Sequence, residues 1–253
     1  MITGVQTESD AELYRLAKHS LRHRHISPEL MDDPGLDRSE HLRALAVLSK
    51  INLLSSTGHY LGNEIGRMLN PAPGQTFRIL DVACGGGDIV FSMQKFLKRR
   101  DIQAQVDGCD ISPVAIDLAS CEAKQLGIHA SFFQMDALRD PLPEGYHLFI
   151  SSLFLHHLAD QEIAPFLKRM ANSAERGFII SDLERCRFGY LLALLASRVL
   201  TRSIVVRTDS LHSVRAALTL RELETCMIDA GLGSGRRVAR CFPFRLMLSW
   251  RKC

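Results

Sequence analysis

A glycine-rich turn between an apolar run and an amphipathic segment constrains the fold of this chain more than any other feature. The stretch, residues 77–90, reads FRILDVACGGGDIV. Its first half predicts a buried parallel strand, and Asp81 stands near the end of that strand. The three glycines at 85–87 allow the backbone to turn tightly and to approach a ligand closely. A strand, a glycine turn and a helix together predict a nucleotide-binding site.

Strand-like and helix-like segments alternate along the chain after this turn. Further strands are predicted at 104–110, 129–135, 147–152 and 177–181. Such alternation is typical of an α/β fold with a doubly wound, mostly parallel sheet. Two final strands, at 237–242 and 244–250, are joined so tightly around Pro243 that they can only pair antiparallel. The sequence therefore predicts a seven-stranded sheet that closes with an antiparallel strand.

The chain ahead of this sheet predicts helices rather than strands. Residues 1–73 form a predicted N-terminal helical lobe, with capping-box patterns that begin helices at Ser9 and Asp37. Residues 74–253 form a predicted Rossmann-like core, interrupted by a helical insert at about 185–218. Because the lobe and the insert both carry apolar faces, we expect them to cover a substrate site.

Two local features of the lobe lead to separate predictions. The basic cluster at 22–25 is interpreted as the solvated end of the first helix, where the helix dipole favours cations. Contact with an acidic substrate is the alternative for this cluster. Gly58 predicts a break between two helices.

Polar residues follow the ends of the predicted strands. They are Asp81, Asp110, Asp136, His156 and Asp182. In doubly wound sheets the ligand binds beyond the carboxyl ends of the parallel strands. We therefore expect these five side chains to line one site.

The glycine pattern disfavours a nicotinamide dinucleotide as the ligand. A dinucleotide site is typically G-x-G-x-x-G with an acidic residue about 20 residues further on. Here the third glycine position is missing, and the acid of the next strand, Asp110, comes 29 residues after Asp81. Acidic residues at the ends of the first three strands are a stronger signal than the glycine turn alone.

At these residues the chain resembles the class I S-adenosylmethionine-dependent methyltransferases. Residues 80–87, LDVACGGG, look like the first motif of that family, D-x-G-x-G-x-G, with Ala83 in place of the first glycine. We expect the small side chain of Ala83 to be tolerated. The resemblance covers roughly residues 75–253, and it implies S-adenosylmethionine as cofactor and S-adenosylhomocysteine as product.

The resemblance also implies roles for residues around the cofactor. Gly85 and Gly87 would bring the backbone close to its methionine part, and Asp81 would hold the ammonium group. Carboxylates suit such a cationic ligand better than phosphate-binding groups do. The other positions implied at the cofactor are Asp110 at the ribose hydroxyls, Ile111 on the adenine, Asp136 at the adenine amino group, and Ala83, Ala137, Ser152 and Leu153.

The sequence after the fourth strand indicates which class of acceptor is methylated. Residues 151–154, SSLF, lack the Asn/Asp-Pro-Pro-aromatic motif of members that methylate amino groups of DNA or of protein glutamine. Residues 155–158, LHHL, are similar to members that act on quinone precursors, sugars and polyketides. In some oxygen-methylating relatives the first of these histidines pairs with an acid after strand five, which implies a pair of His156 and Asp182 here.

The chemistry of hydroxyl methylation needs such a pair. A base of nearly neutral pKa can remove the hydroxyl proton as the methyl group transfers. We therefore predict methyl transfer to a phenolic or polyketide-like hydroxyl, with His156 as general base supported by Asp182. His157 is the second candidate for the base. Two alternatives remain open: methylation of carbon in an aromatic or quinone precursor, and a non-catalytic, cofactor-binding partner protein.

Composition argues against several other classes of protein. The net charge of +3, without a basic tract, does not favour nucleic acid binding. The seven cysteines are scattered and form no CxxC pair, which argues against a disulfide framework and a zinc site, so we predict no bound metal. The longest apolar run, 188–200, is too short to span a bilayer, and the N-terminus lacks the pattern of a signal peptide. We expect a cytoplasmic protein; the sequence leaves its oligomeric state open.

Overall fold

A seven-stranded sheet forms the centre of the computed structural model, which describes residues 21–33, 35–72 and 74–252. The strands are β1 (Thr76–Val82), β2 (Gln103–Asp110), β3 (Phe132–Gln134), β4 (Leu148–Ser152), β5 (Gly177–Leu183), β6 (Arg236–Cys241) and β7 (Arg245–Arg251). They lie in the spatial order β3-β2-β1-β4-β5-β7-β6. The first five strands are parallel, and β7 runs antiparallel between β5 and β6. The predicted α/β class and the antiparallel closing strand are confirmed.

Eight α-helices lie in the described ranges. They are α1 (Arg38–Leu54), α2 (Thr57–Leu69), α3 (Asp88–Arg99), α4 (Pro113–Leu126), α5 (Asp160–Ser173), α6 (Arg187–Leu200), α7 (Ile204–Ala216) and α8 (Leu220–Asp229). Two short 3-10 turns complete the inventory: Leu30–Asp32 ahead of α1, and Leu155–His157 after β4, which we call the histidine turn. No helix of the described residues is both long and apolar enough to cross a membrane.

The sheet is buried on both faces by these helices. Ile79 and Ile150 pack with Met93 of α3 on one face, whereas Phe149 packs with Phe166 of α5 and residues of α8 on the other. Neighbouring residues of one strand thus belong to opposite apolar clusters. This explains why the strands read as unbroken apolar runs rather than as alternating patterns.

The strand register aligns the carboxyl ends of the parallel strands. Val82 of β1 lies opposite Cys109 of β2, and Ser152 of β4 lies opposite Ser181 of β5. The glycine turn, the end of β2 and the histidine turn therefore meet at one edge of the sheet. This is the edge at which ligands bind in doubly wound folds.

The helix break predicted at Gly58 is wrong. The chain breaks at Ser55 and Ser56 instead, and Gly58 lies within the first turn of α2. A Cβ atom at Gly58 would lie 1.9 Å from the Ser92 side chain of α3. The glycine is needed for close packing of two helices, not to end one. At Asp37 the capping prediction is confirmed, because its side chain accepts from the first backbone amides of α1; the helix predicted from Ser9 begins outside the described residues.

The basic cluster at 22–25 is exposed at Arg22, His23 and His25, as predicted, but not at Arg24; the helix that it was predicted to end lies outside the described residues. These residues are not helical, and the side chain of Arg24 is only 5% exposed. Its guanidinium donates to the backbone oxygens of Leu155, His156 and Ala216 and forms an ion pair with Asp160. Arg24 therefore ties the segment that precedes α1 to the histidine turn and to the end of α7.

Candidate active site

Asp81 is the most unusual carboxylate at the ligand-binding edge. It is 1% exposed, and among the described residues neither of its carboxylate oxygens has a hydrogen-bond partner. Burial raises its pKa well above the ordinary value, and the charges of Asp88 and Asp110 raise it further. A buried carboxylate without a partner is costly in free energy, so this position suits a cationic ligand group.

The glycine turn combines tight backbone geometry with open space. Ala83, Gly85 and Gly87 all have positive φ, of 59°, 52° and 81°. The left-handed conformation costs an alanine only about 1 kcal/mol, which agrees with the predicted tolerance of Ala83. A Cβ atom added at Gly85 would meet only Leu45, at 3.5 Å, whereas one at Gly87 would meet Ala119 and Phe132 at 3.0 Å. The loop thus leaves room above Gly85 for a ligand and is closely packed at Gly87.

Asp110 ties the end of β2 to the glycine turn. Its carboxylate accepts from the backbone amide of Gly85 at 2.8 Å and from that of Ser112 at 2.9 Å. Burial outweighs these hydrogen bonds and raises the pKa of Asp110. The next residue, Ile111, is apolar and yet 62% exposed. A half-buried carboxylate beside an exposed apolar side chain can serve a ligand with a diol and a flat ring.

Asp136 and Ala137 differ from the other predicted cofactor residues. The Asp136 carboxylate accepts from the backbone amides of Leu138 and Arg139, so it already closes its own turn. Ala137 is buried in the apolar cluster beneath the sheet edge. Because one Asp136 oxygen already accepts the hydrogen bonds of its own turn, Asp136 has fewer lone pairs left for a ligand. The buried Ala137 can contribute little more than its backbone.

The end of β4 carries an unpartnered hydroxyl and a strained residue. Within the described ranges, the Ser152 hydroxyl oxygen is buried without a hydrogen-bond partner. Leu153 has a φ of 58°, and its backbone amide donates to the carbonyl of Ser181 on β5. A branched apolar residue rarely adopts this conformation, and such strain is concentrated at functional sites.

His156 and Asp182 form the pair that the sequence predicts. The Nδ1 atom of His156 lies 2.7 Å from a carboxylate oxygen of Asp182, and the His156 backbone amide donates to the other oxygen at 3.0 Å. Burial by itself would lower the pKa of His156, but the carboxylates of Asp182 and Glu29 outweigh it and raise the pKa to about 10. The same contacts, against burial, lower the pKa of Asp182.

Glu29 is a site residue that the sequence reasoning missed. It is 8% exposed, its Oε1 atom lies 3.5 Å from Nε2 of His156, and it accepts from the hydroxyl of Ser213 on α7. Burial would raise the pKa of Glu29, but its contacts with His156 and His157 lower it. Nothing in the sequence around Glu29 pointed to a partner so far along the chain.

His157 has a carboxylate partner of its own. Its Nδ1 atom lies 2.9 Å from Asp32 of the first 3-10 turn, and its Nε2 atom lies 3.9 Å from Glu29. Its ring stacks against Phe154 at a centroid distance of 6.3 Å. The two adjacent histidines thus both face the carboxylate of Glu29, which lies in the segment ahead of α1.

Arg245 is a second residue that the sequence reasoning missed. It is 2% exposed, and its Nη2 atom donates to Asn52 of α1, whose amide nitrogen donates to Asp88 at the start of α3. Burial lowers its pKa to about 10, although Asp182 and Asp88 oppose the shift. Among the described residues its Nη1 atom has no partner. A charged residue inside a strand pattern was the only signal in the sequence.

The residues at this edge fit the cofactor that the resemblance implies. Asp81 offers a buried carboxyl group without a partner for an ammonium group, and Gly85 leaves space beside it. Asp110 and Ile111 follow with a carboxylate and an exposed apolar surface. From Asp81 through Asp110 to Ile111, these groups match in turn the amino-acid end, the ribose and the aromatic base of the cofactor.

Part of the chain is similar in sequence to known methyltransferases. Residues 79–177 match the family model described as Methyltransferase domain. The demethylmenaquinone methyltransferase of Thermus thermophilus is 35% identical over 88 residues, which are 34% of this chain and 38% of that protein. The ubiquinone biosynthesis O-methyltransferase of Brucella anthropi is 24% identical over 166 residues, 64% of this chain and 62% of that protein. The chain therefore matches less than two thirds of the length of either relative.

Solved structures share the fold over a larger part of the chain. One is an O-methyltransferase from neocarzinostatin biosynthesis, crystallised with S-adenosylhomocysteine and 1,4-dihydroxy-2-naphthoic acid. It superposes with a TM-score of 0.63 at 16% identity, covering 95% of this chain and 66% of that chain. Residues 79–177 thus match a methyltransferase domain, and the chain shares the fold of this S-adenosylhomocysteine-bound methyltransferase.

Proposed function

We propose that this protein transfers the methyl group of S-adenosylmethionine to a hydroxyl of a small molecule of phenolic or polyketide type. The observation that carries the proposal is the meeting of two features at one sheet edge. One is the unpartnered Asp81 carboxylate beside the glycine turn, and the other is the pair of His156 and Asp182. Together they provide a place for a cationic cofactor and for an acceptor that loses a proton.

The cofactor residues act by binding and orientation. When bound, S-adenosylmethionine supplies a methyl group activated by the positive charge of its sulfonium. Asp81 holds the ammonium, Gly85 allows the methionine part to lie against the backbone, and Asp110 accepts from the ribose hydroxyls. Alignment of the acceptor with the methyl group supplies most of the rate acceleration in reactions of this type.

His156 is proposed as the group that takes the acceptor's proton. Asp182 holds Nδ1, which fixes the ring orientation and leaves Nε2 for the acceptor. In the arrangement described here Glu29 stands opposite Nε2 and keeps the ring protonated. The proposal therefore requires the acceptor hydroxyl to take the place of Glu29, which leaves His156 with one carboxylate neighbour.

The segment that carries Glu29 is proposed to cover the acceptor. Arg24 fastens this segment to the histidine turn, and α7 meets it through Ser213. His156 is only 3% exposed beneath this cover. Such a cover keeps water from the reacting groups once the acceptor is in place.

Methylation of carbon is the second candidate function. The comparison that favours it is the stretch of 88 residues that is 35% identical to the demethylmenaquinone methyltransferase. The same pair of His156 and Asp182 could remove a proton from a phenolic ring before methylation of its carbon.

A labelling experiment tests both candidates. The purified protein is incubated with methyl-labelled S-adenosylmethionine and a panel that includes 1,4-dihydroxy-2-naphthoic acid, simple phenols and a naphthoquinol. We expect label in an ether-linked methyl, which strong acid releases, whereas acid-resistant label supports carbon methylation. Tight binding of S-adenosylhomocysteine without transfer to any acceptor would favour a non-catalytic partner protein. Tight binding of NAD alone would overturn the proposal.

A further inference from the structure

We propose that Glu29, His156 and His157 form a binding site for one divalent transition-metal ion of the zinc class. A carboxylate oxygen of Glu29 and one ring nitrogen of each histidine all lie within 4.8 Å of one another. The sequence predicted no metal because its cysteines are scattered and form no CxxC pair. This cluster is assembled instead from a loop ahead of α1 and from the histidine turn.

The distances in the cluster suit a shared ion better than hydrogen bonds. The Oε1 atom of Glu29 lies 3.5 Å from Nε2 of His156, and its Oε2 atom lies 3.9 Å from Nε2 of His157. Both separations exceed the 2.7–3.2 Å range of a good N–H···O hydrogen bond. Bond lengths and tetrahedral angles in zinc sites place two ligand atoms about 3.3 Å apart. A small contraction around an ion would therefore satisfy all three groups.

Both histidines already have the orientation of metal ligands. Nδ1 of His156 lies 2.7 Å from Asp182, and Nδ1 of His157 lies 2.9 Å from Asp32. Each ring therefore points its Nε2 atom toward Glu29. Metal-binding histidines almost always donate their second ring nitrogen to such a partner, which fixes the tautomer and strengthens the ligand.

The carboxylate of the cluster is held in place from behind. Ser213 donates to Glu29, and Asp209 accepts from the backbone amides of Leu30 and Met31, the two residues that follow Glu29. Both supporting side chains belong to α7 and are buried. The loop is thus already anchored on α7, so the binding of an ion does not have to order Glu29.

The ligand types select the class of ion. Two imidazoles and one carboxylate suit zinc, iron or similar transition metals, whereas magnesium and calcium prefer oxygen ligands. Three protein ligands also leave further positions open on the ion.

A bound ion takes the Nε2 lone pair that the proposed base, His156, needs. We therefore expect the ion to inhibit methyl transfer, a consequence that rests on the proposed function, whereas the site itself does not.

Metal titration of the full chain tests the site. The protein, first treated with a chelator, is titrated with Zn²⁺ by calorimetry and with Co²⁺ followed by visible absorption. We expect one ion per chain, with Co²⁺ and Zn²⁺ in competition and Mg²⁺ unable to displace either. Absence of stoichiometric Zn²⁺ binding would overturn the proposal.

Variants identify the ligands and separate them from surface binding. We expect Glu29→Gln and His157→Ala each to weaken Zn²⁺ binding at least about 10-fold, and Asp32→Asn to weaken it about 10- to 100-fold although Asp32 is not itself a ligand. The matched control is His129→Ala, an exposed histidine in the loop before β3, which should bind as the wild type does. Unchanged S-adenosylhomocysteine affinity in each variant shows that it is folded.

Two further results bear on the site and on the function separately. Wild-type Zn²⁺ affinity in the double variant Glu29→Gln/His157→Ala would overturn the site. Stoichiometric Zn²⁺ binding that depends on Glu29 would support the site even if no acceptor were ever methylated, so failure of the proposed function remains distinguishable. Where methyl transfer is measurable, saturating Zn²⁺ should inhibit the wild type.

Discussion

The sheet edge has a cofactor side, around Asp81 and Asp110, and an acceptor side, around Asp182 and Glu29. The pKa values of the carboxylates on the two sides are shifted in opposite directions. On the cofactor side, Asp81 is buried and Asp110 is half-buried, neither forms an ion pair within the described residues, and desolvation raises the pKa of both. On the acceptor side, Asp182 and Glu29 face histidines that lower the pKa of each carboxylate against the effect of burial. The cofactor side therefore suits a cationic ligand. On the acceptor side the carboxylates already face histidines, so Glu29 must move away before an acceptor can enter.

The largest expected effect breaks the acceptor side alone. His156→Ala should lower turnover by roughly two to four orders of magnitude, because the proton acceptor is removed while alignment is kept. The affinity for S-adenosylhomocysteine, measured by calorimetry, should stay within about twofold of the wild type. Turnover equal to that of the wild type would reject His156 as the base.

The converse change breaks the cofactor side. Asp81→Asn removes the charge proposed to hold the ammonium, so the affinity for S-adenosylhomocysteine should fall about 10- to 100-fold. The ligand-free protein should become about 1 kcal/mol more stable, since a carboxylate with a raised pKa in the folded state opposes folding once the pH exceeds its unfolded pKa. Thermal melts with and without ligand measure both effects. Lower stability together with unchanged affinity would contradict the assignment.

A third change separates the cover from the chemistry. Arg24→Met removes the guanidinium that donates to two backbone oxygens of the histidine turn and to one at the end of α7. Unfolding free energy should fall by about 2 kcal/mol. Turnover should fall with it, while cofactor affinity stays unchanged. The exposed neighbour Arg22→Met is the control, and equal losses in the two variants would show that Arg24 has no special role.

The smallest expected effect is a pH dependence confined to the cofactor side. Because burial raises the pKa of Asp81 well above its ordinary value of 3.8 in the ligand-free protein, and an ammonium beside it would lower that pKa again, binding of the ammonium is coupled to release of a proton. The affinity for S-adenosylhomocysteine should therefore rise with pH in the range above that value. The charges of Asp88 and Asp110 extend this range to higher pH, because they raise the pKa of Asp81 further. The dependence should be weaker in Asp81→Asn, and calorimetry in buffers of different ionisation enthalpy counts the proton.

Local patterns were sufficient to predict that Asp81, the glycine turn and Asp110 lie at one edge of the sheet, whereas their roles at the cofactor stay a prediction. These residues lie at or directly after strand ends, and the register of a parallel sheet brings strand ends together whatever the rest of the chain does. Asp81, the glycine turn and Asp110 were predicted for this reason. The pair of His156 and Asp182 was predicted from the resemblance to methyltransferases. In the structure, Nδ1 of His156 lies 2.7 Å from a carboxylate oxygen of Asp182.

The tertiary structure alone decided how the acceptor side is built. Glu29, Arg24 and Arg245 reach the site from a loop ahead of the sheet and from its last strand, and no spacing in the sequence indicates such contacts. Gly58 gave a misleading signal for a related reason, since its purpose is close packing against α3 rather than a local turn. Periodicity and turn chemistry are local properties and can be read from the chain. The pairing of buried charges depends on which distant segments pack together, and this packing determines which groups surround His156.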